Sequence, residues 1–90
     1  MAEIKIKHEH ETPVGWSFNV EINGREHTVD LDREYWQQIT HGHEQPAHLI
    51  KRSIEFLLLH EKPEEILQRF DLRQIKDYFP EFEDTIDHRK

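Results

Sequence analysis

Cysteine is absent from this 90-residue chain. That removes disulfides, thiolate nucleophiles, iron–sulfur clusters and cysteine-ligated zinc in one step. Glycine is scarce: only Gly15, Gly24 and Gly42 occur. Each falls where a turn or a helix exit needs it, so none is left to build a phosphate-cradling loop. The two serines, Ser17 and Ser53, lie outside any nucleophile elbow. Long apolar runs are also lacking. The densest, Ile54 to Leu59, falls far short of the roughly 20 residues that cross a bilayer. The N-terminus is charged and has no apolar core of an export signal, so the expected location is cytoplasmic.

Positive charge is in short supply too. The formal net charge is -7, with four Lys/Arg against nine Asp/Glu in residues 1–45 and eight against ten in 46–90. Such a surface repels phosphate backbones, which disfavours nucleic acid as a partner. Eight histidines could carry the formal charge from -7 to +1 on full protonation. Ninety residues are expected to form one domain over 1–90, with about 82–90 as a partly ordered acidic tail. A chain this short buries only about 60–65% of its unfolded surface, so the core is thin. With 34% of the chain hydrophobic and 10% of the chain aromatic, that core must come from few, large side chains.

Those side chains are patterned. Trp16, Phe18, Val20 and Ile22 alternate with Ser17, Asn19 and Glu21, the period of a strand with one dry face. Asn23-Gly24 follows, a pair that tolerates the two positive φ angles of a type I′ turn. The two-residue loop sets Val20 opposite His27, Phe18 opposite Val29 and Trp16 opposite Leu31, so the apolar side chains share one face. Upstream, Ile4 and Ile6 alternate with Lys5 and Lys7 and predict a first strand. His8 and His10 are expected to continue on the Ile face, with Thr12-Pro13 ending the strand. Glu21 and Glu26 face each other across the hairpin, an unfavourable pair unless a cation sits between them.

Helices must cover the dry face. Asp32 is the expected N-cap of a helix over 32–40, with His41-Gly42 as its exit. Pro46 suits the first turn of a helix over 46–62, and Pro63 opens another over 63–70 carrying Ile66, Leu67 and Phe70. Asp71 and Gln74 are spaced as a capping box for a helix over 71–79. On the 46–62 helix, Leu49, Ile50, Ser53, Ile54, Phe56, Leu57 and Leu58 span an arc of roughly 200°, with Leu59 outside it. One sheet covers less than that, so the pattern predicts a second companion for this helix. The fold class is therefore α+β: a three-stranded antiparallel meander (3–11, 15–22, 25–31) followed by three to four helices packed on one face.

No residue set commits to catalysis, a cofactor or a metal, and no small-molecule substrate suggests itself. The histidines His41, His43 and His48 could supply ligands to zinc or nickel, as could His8 and His10, but neither spacing is that of a known metal motif. His27 and His60 fall on apolar faces and read as rim or core histidines with one hydrogen bond each. The reading is a non-enzymatic, acidic protein-interaction module, homodimeric or bound to another protein through the central helix or the open strand edge. A histidine-dependent metal protein stays as an alternative.

Two resemblances add to this. His27 to Asp32, Arg33 to Gly42 and Pro46 to Leu59 resemble a ribbon-helix-helix unit (residues 25–61), which implies a dimer and, as a further alternative, a transcriptional regulator or antitoxin. Lys51, Arg52, Arg69 and Arg73 would then have to form its basic patch, since Glu26, Thr28 and Asp30 offer no base-reading side chains. Glu65 to Leu72 and Tyr78 to Phe82 are similar to the close of small bacterial proteins built from a hairpin and helices. That resemblance implies a fold of the same α+β kind and no particular activity.

Overall fold

The computed structural model describes residues 3–87. Three antiparallel strands open the chain: β1 (Ile4–Thr12), β2 (Gly15–Ile22) and β3 (Arg25–Asp32). The β2–β3 register has Val20 opposite His27, Phe18 opposite Val29 and Trp16 opposite Leu31. Asn23 and Gly24 both take positive φ, 50° and 84°, as a type I′ turn requires.

The first strand departs from strict alternation. Lys7 is bulged out between Ile6, which faces Val20, and His8, which faces Asn19. One extra residue reverses the side-chain phase. His8 and His10 therefore stand on the polar face, opposite to Ile4 and Ile6 and contrary to the sequence expectation. Their rings stack with centroids 6.0 Å apart. The bulge also puts the Lys7 ammonium 3.7 Å from Glu21 and 3.8 Å from Glu26, supplying the cation that this like-charged pair lacked.

Helix α1 (Arg33–Thr40) starts as expected, the Asp32 carboxylate accepting from the amides of Glu34 and Tyr35. At its exit both His41 and Gly42 are left-handed, with φ of 54° and 78°. Helix α2 (Pro46–Leu58) is four residues shorter than expected. Lys62 is extended, as the residue before Pro63 should be, so the helix has unwound before reaching it.

The larger correction follows. Residues 63–70 do not form a helix. A single 3-10 turn, Pro63–Glu65, leads into a fourth strand, β4 (Arg69–Asp71), which runs parallel to β3 and completes a sheet in the order β1-β2-β3-β4. Left uncovered, β3 would present a row of unpaired backbone groups on its outer edge. The amide of Thr28 donates to the Gln68 carbonyl at 2.7 Å, and Phe70 pairs with Val29 and is buried. Edge hydrogen bonds and Phe70 burial outweigh the helical spacing of Ile66, Leu67 and Phe70. The Asp71–Gln74 capping box is present and opens a 3-10 turn (Leu72–Gln74) that runs into α3 (Ile75–Tyr78).

Within the stretch expected as a partly ordered acidic tail, residues 82–86 form a helix. Helix α4 (Phe82–Ile86) buries Phe82 and Ile86 in the core. Residues 88–90 of the expected tail lie outside the described residues. The second companion of α2 is thus this chain's own end: Phe56 packs edge-on to Phe82 at 5.2 Å and to Phe79 at 6.0 Å. The Cα radius of gyration, 12.2 Å, equals that of a fully compact domain of this length, about 12 Å. The other face of the sheet, with Asn19, Thr28 and Asp30, stays uncovered.

Gly15 is where β2 passes closest to another backbone. A Cβ there would lie 2.1 Å from the Leu31 carbonyl oxygen and 2.8 Å from the Arg33 nitrogen. Gly15→Ala is expected to destabilise by about 2 kcal/mol or more. Gly24→Ala has open space around it and meets only the left-handed penalty of roughly 1 kcal/mol. Urea unfolding of the two variants checks the order.

Candidate functional site

Two clusters of chemistry-bearing side chains stand out, and they differ in kind. The first joins the α1–α2 loop to α2 and α4. Glu44, whose side chain is only 3% exposed, receives Arg52 through Nε at 2.6 Å and Nη2 at 2.7 Å. The Arg52 Nη2 also donates to the Ile86 carbonyl at 2.9 Å, and the Trp36 indole donates to the Glu44 carbonyl at 2.8 Å. The bond to Glu44 raises the Arg52 pKa further above its ordinary value. A carboxylate gripped by a guanidinium fork has its oxygens committed, which suits a strut better than a general base.

The histidines expected as possible ligands are distributed over this cluster. His48 Nδ1 lies 2.5 Å from Glu44, His41 Nε2 lies 3.3 Å from Asp87, and His43 is exposed in the loop. Among the described residues no three His, Asp or Glu side chains converge into a group that could hold a metal ion. The contacts to Ile86 and Asp87, with Tyr35 donating to Glu83 at 2.9 Å, tie the last helix down. Burial and the Glu83 bond push the Tyr35 phenol far above its ordinary pKa, so it stays a donor.

The basic residues named for a nucleic-acid patch are likewise engaged. Arg52 is held by Glu44, Arg69 lies 3.3 Å from Asp30, and Arg73 lies 3.5 Å from Asp71. Lys51 stands apart on the exposed side of α2. Strand β3 has a neighbour on each edge, so a two-chain ribbon built from it would have to displace β2 or β4.

The second cluster is an apolar cleft of about 170 Å³ between the end of α2 and the segment from Ile66 to Tyr78. Leu57, Ile66, Phe70 and Ile75 form its floor and walls, and Leu67 and Tyr78 stand on its rim, 53% and 67% exposed. His27 fixes the local backbone. Its Nδ1 lies 2.8 Å from the Leu67 carbonyl, which can only accept, so Nδ1 carries the proton and Nε2 is left buried without a partner. With its carbonyl pinned inward, Leu67 turns its side chain outward. His27 is thus the core histidine with one hydrogen bond that the pattern indicated. His60 is a rim residue stacked on Phe79 at 4.8 Å.

The cleft's charged lining is Glu61 and Glu65. Partial burial first, then repulsion from Glu65, raises the Glu61 pKa, with His60 acting weakly the other way. Among the described residues neither carboxylate forms an ion pair. Beyond Glu61 a wider groove of about 800 Å³ continues past Leu58 and Leu59, the latter 81% exposed. The sequence places Leu59 off the buried arc but does not reveal the cleft, because the cleft exists only once residues 69–71 have paired as a strand. No helix among the described residues is long and apolar enough to cross a membrane.

Two outcomes follow from these charges. Glu44→Gln breaks the fork and is expected to cost roughly 1–3 kcal/mol in urea unfolding. That is below the figure of about 3–5 kcal/mol for a fully buried pair, because the Arg52 side chain is 29% exposed and water reaches it. Glu61 has the opposite sign. A raised folded-state pKa means that the folded chain binds more protons, so stability falls as pH rises through the window above 4.5. Glu61→Gln is therefore expected to stabilise the protein at pH 7 by less than about 1 kcal/mol, solvent screening being strong there. Thermal melts across pH check it: the two proteins should converge at acid pH.

The chain matches no family model, no curated protein and no solved structure.

Proposed function

We propose that this protein is a non-enzymatic, cytoplasmic protein-interaction module that engages its partner at the C-terminal end of α2. One observation carries the reading. Of the four large apolar side chains that stand exposed among the described residues, three, Leu59, Leu67 and Tyr78, line the cleft and its adjoining groove, and only Val14, by the β1–β2 turn, lies elsewhere. Grouped exposed apolar residues at the rim of a preformed cleft mark interaction surfaces in small proteins. The surface differs from the one the helix periodicity suggested: the flank of α2 is occupied by Phe79 and Phe82, and only its last turn and the segment after it remain open.

Several features favour binding over reaction. Ser53 donates to the Leu49 carbonyl at 2.8 Å inside α2, and Glu44 is committed to Arg52. The cleft volume is below the range of about 300–1,000 Å³ that encloses metabolite-sized ligands. It suits one side chain of a protein partner. A homodimer through the free edge of β1 is a second reading, favoured by nine strand residues with a neighbour on one side only. The Lys7 bulge and the nearby Lys5 are devices that discourage edge pairing, which ranks it below the cleft.

A photo-crosslinking amino acid at Tyr78, introduced in living cells, is expected to yield one or a few discrete adducts. The same group at Thr28, on the open polar face of the sheet, should yield none. An adduct of twice the chain's mass identifies a homodimer. Absence of adducts from Tyr78, or equal adducts from both positions, sinks the reading.

A further inference from the structure

The cleft has an electrostatic character that narrows what fits it. Its apolar floor is bordered on the α2 side by Glu61 and Glu65, and partial burial followed by the nearby Glu65 charge disfavours ionisation of Glu61. Arg69 pairs with Asp30, Arg73 with Asp71, and Lys76 lies 3.6 Å from Glu83 and 5.5 Å from the Tyr35 ring centroid, while the exposed Lys62 lines the adjoining groove and not the cleft. Glu65 is held in place, its Oε1 accepting the Lys62 amide at 2.8 Å, so one of the two charges is positioned before any ligand arrives. The rim is thus a fixed negative edge beside a dry pocket. A cation placed there would relieve the repulsion between the two glutamates, and the chain's net charge of -7 would steer it inward.

We infer that the cleft receives a short segment of a partner protein in which one apolar anchor side chain is flanked by Lys or Arg. The inference rests on the interaction reading above and specifies the partner's chemistry. The anchor enters between Leu57, Ile66, Phe70 and Ile75. The flanking cation sits over Glu61 and Glu65, and the rest of the segment runs past Glu61 along Leu58 and Leu59. An acidic segment is disfavoured by the same charges, and a purely polar one by the apolar floor.

The test uses the full 90-residue chain, labelled with ¹⁵N, and three blocked peptides. One carries a leucine between lysines, the second glutamates in place of the lysines, and the third alanine in place of the leucine. The first is expected to shift the amides of Ile66, Leu67, Phe70 and Ile75 with a Kd near about 1 mM, the scale of a single anchor. The other two should bind at least about fivefold more weakly. The Glu61→Gln/Glu65→Gln variant keeps the oxygen that accepts from Lys62, and it should lose about fivefold in affinity for the lysine peptide only. Equal binding of the acidic peptide, affinity unchanged in the variant, shifts elsewhere on the surface, or no shift with any peptide overturns the inference. Crosslinking from Tyr78 separates the two failures. A partner captured there through an acidic or neutral segment ends this inference and leaves the interaction reading standing, whereas no adduct ends both.

Discussion

The parallel pairing of Arg69–Asp71 with Thr28–Asp30 is the constraint on which the rest of this structure depends. Parallel neighbours cannot be joined by a tight turn, so the chain between them must cross over one face of the sheet. Here α1 and α2 make that crossing and roof the Phe18/Val20/Val29 face as they do so. Pairing also holds the segment from Ile66 to Asp71 at a distance from the last turn of α2. The apolar cleft is the space left between them.

Helix α2 is the second half of the argument. Its apolar arc is wider than one sheet can cover, and the excess is met by the C-terminal segment, with Phe56 against Phe79 and Phe82. Apolar burial alone would leave that segment loosely oriented, since α4 has only five residues. Polar ties orient it: Arg52 to the Ile86 carbonyl, His41 to Asp87, and Tyr35 to Glu83. Glu44, buried and forked to Arg52, is the anchor for this set. Its desolvation is offset by the hydrogen bonds it accepts, a balance that leaves little net stabilisation but strongly penalises removal of one partner.

Charge is used differently at the surface. Lys7 settles the Glu21/Glu26 pair by means of a bulge, and Arg69 and Arg73 settle Asp30 and Asp71. Glu61 and Glu65 border an apolar cleft and, among the described residues, form no ion pair. A cation brought by a partner would therefore meet carboxylates beside apolar surface rather than a matched pair. That difference separates the site from the Glu44 cluster, whose charges are already matched and whose role is to hold the fold together.

Much of the architecture was legible in the residues. The Asn23-Gly24 turn, the β2–β3 register, the Asp32 cap, the Asp71–Gln74 box and the buried arc of α2 all follow from interactions within about four residues or across one tight turn. Such interactions are present in the chain whatever its global fold. The features that escaped are those settled by distant partners. Ile66, Leu67 and Phe70 fit a helix by spacing, and only the vacant edge of β3, some forty residues earlier, draws Phe70 and its two neighbours into a strand. The phase of His8 and His10 turned on a single bulged residue whose side chain found Glu21 and Glu26. The partly ordered ending expected from its charge takes its helical form where Phe82 and Ile86 are buried, with Phe82 against Phe56 of α2. The cleft belongs to this second group, because its walls come from separate elements that no local pattern brings together.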